Sequence, residues 1–173
     1  MVQIPEIMKN MKQIVIMLGG NLPGTGQAMA TAVEKFRMAG VQNIRCSRIM
    51  MSAAEDCVPG TPDFLDMAMT GSWCGTPGDL LALCQQIECE AGRPAHHSSR
   101  ESRILDCDII LFGEEVVDSP DLTIPHPRAH LREFVLRPLA EISPQTSFPD
   151  GMTVLEKLHR LEAGYKPDTS RIQ

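Results

Sequence analysis

No stretch of this sequence is apolar enough to cross a membrane. The longest uninterrupted apolar run is Ile14, Val15, Ile16, Met17 and Leu18, against the ~20 residues that a helical span requires. Positive charge is in short supply. Lys and Arg number 16 against 22 Asp and Glu, a net charge of −6, and an acidic surface speaks against non-specific binding to nucleic acid or an anionic membrane. The six cysteines, Cys46, Cys57, Cys74, Cys84, Cys89 and Cys107, show neither C-x-x-C nor zinc-ligand spacing. They are expected to be small buried hydrophobes in a reducing cytoplasm. Gly and Pro number 13 each in 173 residues, too few for a collagen-like or low-complexity chain. The first eleven residues lack the apolar centre of a signal peptide. What is present is an ordinary globular composition, 43% hydrophobic and 22% charged. The length suits about one domain, expected over residues 12–162, with 1–11 and 163–173 as loose terminal segments.

Periodicity along the chain gives an order of elements. The run at 14–18, stopped by Gly19 and Gly20, reads as a buried strand. Residues 27–38 carry apolar side chains at helical spacing and end at Gly40. Residues 44–51 are compatible with a strand, and 64–73 alternate as one. Thr76 and Pro77 look like an N-cap and first helical residue; Leu80, Leu83, Cys84, Ile87 and Ala91 then form a core stripe that Gly92 closes. Residues 104–112 are the strongest strand. Shorter helices are expected at 134–142 and 152–161. Strand, helix, strand, strand, helix, strand is the split βαβ order. The predicted fold is therefore α+β: a ferredoxin-like sheet with helices packed on one face and a C-terminal helical extension.

The chemistry-bearing residues cluster around the strongest strand. Side chains two apart share a face, so Leu105, Cys107, Ile109 and Leu111 are expected in the core, with Asp106 and Asp108 opposite. Two carboxylates ~7 Å apart repel each other. A divalent cation between them removes that cost, and an oxygen-only pair that leaves room for water and phosphate suits magnesium. Two solvated aspartates on a half-exposed strand are the plain alternative. Arg93 and Arg100 precede the strand, Arg103 adjoins Asp106, and Arg132 lies beyond it; guanidinium forks fit phosphate oxygens, or simply balance local acid. Gln85 and Glu88, three apart on the second helix, suit reading a base or ribose, or a solvated helix flank. His126 is held between Pro125 and Pro127. Phe64 and Phe134, each beside polar residues, suit stacking on a flat heterocycle or ordinary core packing.

The order of short motifs adds to this. Leu18, Gly19, Gly20, Asn21 and Leu22 are similar to the L-G-S-N-L that opens the 6-hydroxymethyl-7,8-dihydropterin pyrophosphokinases of folate biosynthesis. Pro62, Asp63, Phe64, Leu65 and Asp66 resemble that family's P-D-(Y/F)-L-N. Ile87 and Glu88, with Gly92 and Arg93 after them, resemble I-E-x-x-x-G-R. The stretch 103–113 resembles R-T-L-D-L-D-(I/L)-(L/M)-L-(Y/F)-G, the most specific block. Residues 122–142 resemble L-T-(L/I)-P-H-P-x-x-x-x-R-x-F-V-L-x-P-L-x-E-I. The resemblance runs from about residue 14 to 149.

Carried over by position, the resemblance implies a ferredoxin-like fold and transfer of pyrophosphate from ATP to the pterin, giving AMP. Asp106 and Asp108 would hold two magnesium ions. Arg103 and Arg132, with Arg93 and His126, would hold the triphosphate, while Gln85, Glu88 and Ile109 would line the nucleotide site. Phe64 and Phe134 would sandwich the pterin, with Asp66 and the backbone from Ala53 to Asp56 on its polar edge. The implied partners are ATP and hydroxymethyldihydropterin, with no nucleic acid and no membrane; a monomer in the cytoplasm is the expectation. Rival readings are another magnesium-dependent phosphoryl or nucleotidyl transferase, and a degenerate non-catalytic paralogue. The chain departs from the family pattern at three places. Arg100, Glu101 and Ser102 stand where many members have W-G-P, Ala53, Ala54 and Glu55 replace T-P-P, and Asp66 replaces the pterin-binding asparagine.

Overall fold

The apolar run at 14–18 forms the middle of strand β1 (Lys12–Gly20), and it is continuous rather than alternating because both faces of its sheet are covered. Ile14, Ile16 and Leu18 belong to one core and Val15 and Met17 to another. The computed structural model describes residues 10–54, 60–92 and 102–165. Helix α1 (Thr25–Met38) leads to β2 (Gln42–Cys46) and β3 (Met50–Ser52), and then β4 (Phe64–Trp73). Helix α2 (Pro77–Glu90) returns the chain to β5 (Asp106–Phe112). The sheet order is β2-β4-β1-β5, all neighbours antiparallel, with β3 also on β4. Two strand–helix–strand units interleaved in this order are the ferredoxin-like arrangement the sequence predicts.

The segment expected as one strand at 44–51 is two. Ser47 separates them: its N–H donates to the Ala68 carbonyl (2.9 Å), and its Oγ accepts from the Ala68 N–H (3.0 Å) and donates to the Arg48 carbonyl (2.8 Å). One side chain thus takes over ladder positions and the chain bends.

Helices α1 and α2 cover one face through Met29, Phe36, Leu80, Cys84 and Ile87. Helix α2 starts as expected, with Thr76 and Asp79 forming a reciprocal capping box on either side of Pro77. The C-terminal extension covers the other face. Helices α3 (Glu133–Ile142) and α4 (Val154–Glu162) place Val135, Leu136, Leu139 and Leu158 against Val15, Met17 and Ala68. A two-stranded ribbon, β6 (Val117–Asp118) with β7 (Thr123–Ile124), lies in what read as loop. It is too short to leave a periodic signal.

The structure corrects two further expectations. Leu111 does not share a face with Leu105, Cys107 and Ile109. The β1–β5 register passes from Val15 opposite Leu111 to Ile16 opposite Ile109, so Ile110 is an extra residue. This bulge turns Ile110 and Leu111 together into the second core. The cysteines are not uniformly buried either: Cys84 and Cys107 are, whereas Cys46, Cys74 and Cys89 are exposed, and Cys57 lies outside the described residues. Burial pushes the Cys84 and Cys107 thiols up, keeping both protonated. No helix among the described residues is long and apolar enough to cross a membrane.

Candidate functional site

Strand pairing puts Gly19 opposite Asp66 on one side and Asp106 on the other. Alternation sends all three to the face where Ala68 and Met17 meet α3. A Cβ at Gly19 would stand 3.3 Å from the Asp66 carboxylate. The glycine therefore leaves an open floor between two carboxylates, one on each neighbouring strand. Asp108 lies on the same face, opposite Met17.

Arginines and phenylalanines rim this floor. Arg103 pairs with Asp106 at 2.7 Å, and its guanidinium also lies 5.0 Å from the Phe64 ring centroid. Arg132, at the N-terminus of α3, lies 5.2 Å from the Phe134 centroid. Both arginine–ring distances are within cation–π range. The positive charges of Arg103 and Arg132 both act on Asp66, and the Asp106 charge reaches both Asp66 and His126. These five groups form one electrostatic cluster.

Asp66 is 5% exposed. Burial pushes its carboxyl up to about 6, against the opposing effects of the Ser52 hydroxyl, which donates to it, and of the two arginines. His126 moves the other way: burial, then the charges of Arg132 and Arg128, push it down to about 4. Its Nδ1 accepts from the Arg128 N–H (3.3 Å). The neutral ring consequently carries its proton on Nε2 and offers a donor there. The Pro-flanked loop is anchored by the His126 N–H, which donates to the Ile110 carbonyl at 3.0 Å.

Of the residues singled out in the sequence, Phe64, Asp66, Arg103, Asp106, Asp108, His126, Arg132 and Phe134 belong to this region. Glu88 is turned to the sheet, where its Oε1 accepts from the Cys107 N–H at 2.7 Å. Gln85 is exposed on the same helix, and Ile109 packs in the core beneath α1 and α2, opposite the carboxylates. Ala53 is exposed just beyond β3. Arg93 and Asp56 lie outside the described residues.

Sequence reasoning missed three contributors. Ser52 holds Asp66, Gly19 opens the floor, and Asn21 ties together chain segments on either side of the site. The L-G-G-N run carried a signal for the last two, as a glycine pair and a carboxamide at a strand end. Among the described residues no group of three or more His, Cys, Asp or Glu is placed to hold a metal ion. Asp106 and Asp108 offer a two-carboxylate, oxygen-only donor set.

Architecture and site together define a ferredoxin-like α+β protein with carboxylates, arginines and aromatic rings gathered at one end of the sheet. The model of the 7,8-dihydro-6-hydroxymethylpterin-pyrophosphokinase (HPPK) family matches residues 15–144, and the chain belongs to that family. A 2-amino-4-hydroxy-6-hydroxymethyldihydropteridine pyrophosphokinase of Synechocystis is 33% identical over 150 residues, 86% of this chain and 75% of its own. The protein of that name from Pseudomonas aeruginosa is 33% identical, covering 85% of this chain and 90% of its own. The solved Plasmodium falciparum HPPK-DHPS wild type with pteroate superposes with a TM-score of 0.66 at 12% identity, over 93% of this chain. The match spans 45% of that longer chain, and at this identity it speaks for the fold.

Proposed function

We propose that this protein transfers the β,γ-diphosphoryl group of ATP to the hydroxymethyl oxygen of 6-hydroxymethyl-7,8-dihydropterin, giving the pterin diphosphate and AMP. The observation that carries the reading is the floor at Gly19, with Asp66 and its phenylalanine on one side and the Arg103–Asp106 pair on the other. A flat, donor-rich heterocycle suits the first side and a polyphosphate the second.

Asp66 accepts from adjacent N–H groups of the heterocycle, a charge-assisted contact in a site sheltered from water. Phe64 and Phe134 stack against its ring faces. Arg103 and Arg132 take phosphate oxygens. The ion pair with Asp106 holds the Arg103 guanidinium in place for a phosphate. Neutral His126 offers its Nε2–H as a donor to a phosphate oxygen. Asp106 and Asp108 would hold magnesium, and their oxygen-only character fits that ion with water and phosphate completing its shell. When bound, magnesium supplies neutralisation of the phosphate charge.

In the transfer, the hydroxymethyl oxygen bonds to the β-phosphorus. The bond from that phosphorus to the oxygen bridging the α-phosphate breaks, AMP departs with the bridging oxygen, and the hydroxyl proton passes to solvent. Alignment and electrostatic stabilisation are what the protein contributes.

The test is incubation of the full chain with ATP, magnesium and hydroxymethyldihydropterin, tracking adenine nucleotides. AMP and pterin diphosphate in equal amounts, requiring the pterin, are expected. ADP as the product, or AMP release independent of the pterin, would overturn the reading.

A further inference from the structure

We propose that Asn21 is a positioning residue that aligns the heterocycle side of the site with the phosphate side. The inference rests on the proposed pyrophosphoryl transfer and goes beyond it in assigning a residue outside the ligand-contacting set.

Asn21 comes directly after the last residue of β1 and is 7% exposed. Its backbone N–H donates to the Arg103 carbonyl at 2.9 Å, and its Oδ1 accepts from the Arg103 N–H at 2.9 Å. Residue 103 is therefore gripped at both of its backbone polar groups. On its other edge the carboxamide Nδ2 donates to the Pro62 carbonyl (3.2 Å) and to the Ser102 hydroxyl (3.3 Å). The orientation of the amide is dictated by these partners: a carbonyl at Pro62 requires a donor, and an N–H at Arg103 requires an acceptor. Asparagine supplies both from one planar group.

What the amide joins gives it significance. Pro62 lies two residues before Phe64 and four before Asp66. Arg103 stacks on Phe64 and pairs with Asp106. Asn21 thus spans 41 residues to one side of the site and 82 to the other, holding two separate loop ends in one register. Gly20 permits the approach: a Cβ there would stand 2.4 Å from the Ile104 carbonyl oxygen.

In-line transfer is sensitive to such registration, since a displacement of ~1 Å can cost about 100-fold in rate. Asn21→Ala should lower kcat by about 30- to 100-fold at saturating substrates, with the Kd of magnesium and a non-hydrolysable ATP analogue changed by less than about threefold. Asn21→Asp keeps the acceptor for Arg103 but sets a carboxylate against the Pro62 carbonyl. It should lose at least about tenfold in kcat, and it serves if the alanine variant does not fold. Thr76→Ala, which removes the cap of α2 beyond the opposite end of β4, is the control for general destabilisation.

All assays run well below the melting midpoint of every variant. Folded Asn21 variants with wild-type kcat would overturn the inference while leaving the site reading intact. Loss of ATP-analogue binding in proportion to turnover would equally overturn it, by making Asn21 a binding contact. A wild-type chain that forms no AMP would instead overturn the site reading, and this assignment with it.

Discussion

Replacing Asp66 by Asn removes a charge that folding takes out of water. The Asp66 carboxyl moves from 3.8 to about 6 on folding, with burial as the leading cause. A gap of about 2.2 pH units corresponds to about 3 kcal/mol at 1.36 kcal/mol per unit. The sign comes from proton counting. Between pH 3.8 and about 6 the folded protein holds this proton and the unfolded chain does not, so stability falls as pH rises through that window. Above about pH 6 the full cost is present; below 3.8 it is absent. Asn is isosteric, does not titrate, and its Oδ1 still accepts from Ser52. The stability advantage of Asp66→Asn should therefore grow by about 2 kcal/mol between about pH 4.5 and 7.5. For a chain of this size that is about 4–8 °C in Tm. Thermal melts of both proteins across that range, compared as a difference, cancel every other titrating group. A difference that stays constant across the range would refute the argument. Ligand binding should show the opposite preference in the wild type: a heterocycle presenting two N–H donors needs the ionised carboxylate, so its affinity falls as pH drops below about 6. Calorimetry should find that dependence flattened in Asp66→Asn.

Asp106→Ala and Asp108→Ala should each lower turnover by about a thousandfold in the pyrophosphokinase assay. Asp106→Ala also removes a charge partner of the largely buried Arg103, so its urea midpoint should report a loss of about 1–3 kcal/mol. Gly20→Ala drives a Cβ to 2.4 Å from the Ile104 carbonyl oxygen and 2.8 Å from Thr25, and equilibrium unfolding should report a loss of about 1–3 kcal/mol. His126, held down at about 4, should show no change in its imidazole NMR resonances between about pH 5.5 and 8; a midpoint near 6.5 would contradict the burial argument.

The strand at 14–18, the capped helix after Thr76 and the Asp106–Asp108 face were legible because each rests on local chemistry. Apolar spacing, a capping threonine with proline after it, and the two-residue period of a strand all act within a few positions. Ser52 was not legible as a site element, and the glycine pair and carboxamide at 19–21 marked a strand end without showing what Gly19 and Asn21 do. Their partners lie far away in the chain, and only strand register brings them together: Gly19 separates two carboxylates because β1 runs between β4 and β5. Tertiary pairing likewise inserted Ile110 as a bulge and turned Leu111 to the second face. It buried Cys84 and Cys107 while leaving Cys46, Cys74 and Cys89 exposed. The amino-acid sequence alone determined the main helices and the long strands, their order and the kinds of side chain available for phosphate and heterocycle, since these depend on neighbours in the chain. The tertiary structure decided which of those side chains share a floor, which are neutral and which hold the others in place, because burial and register are properties of packed strands rather than of any one segment.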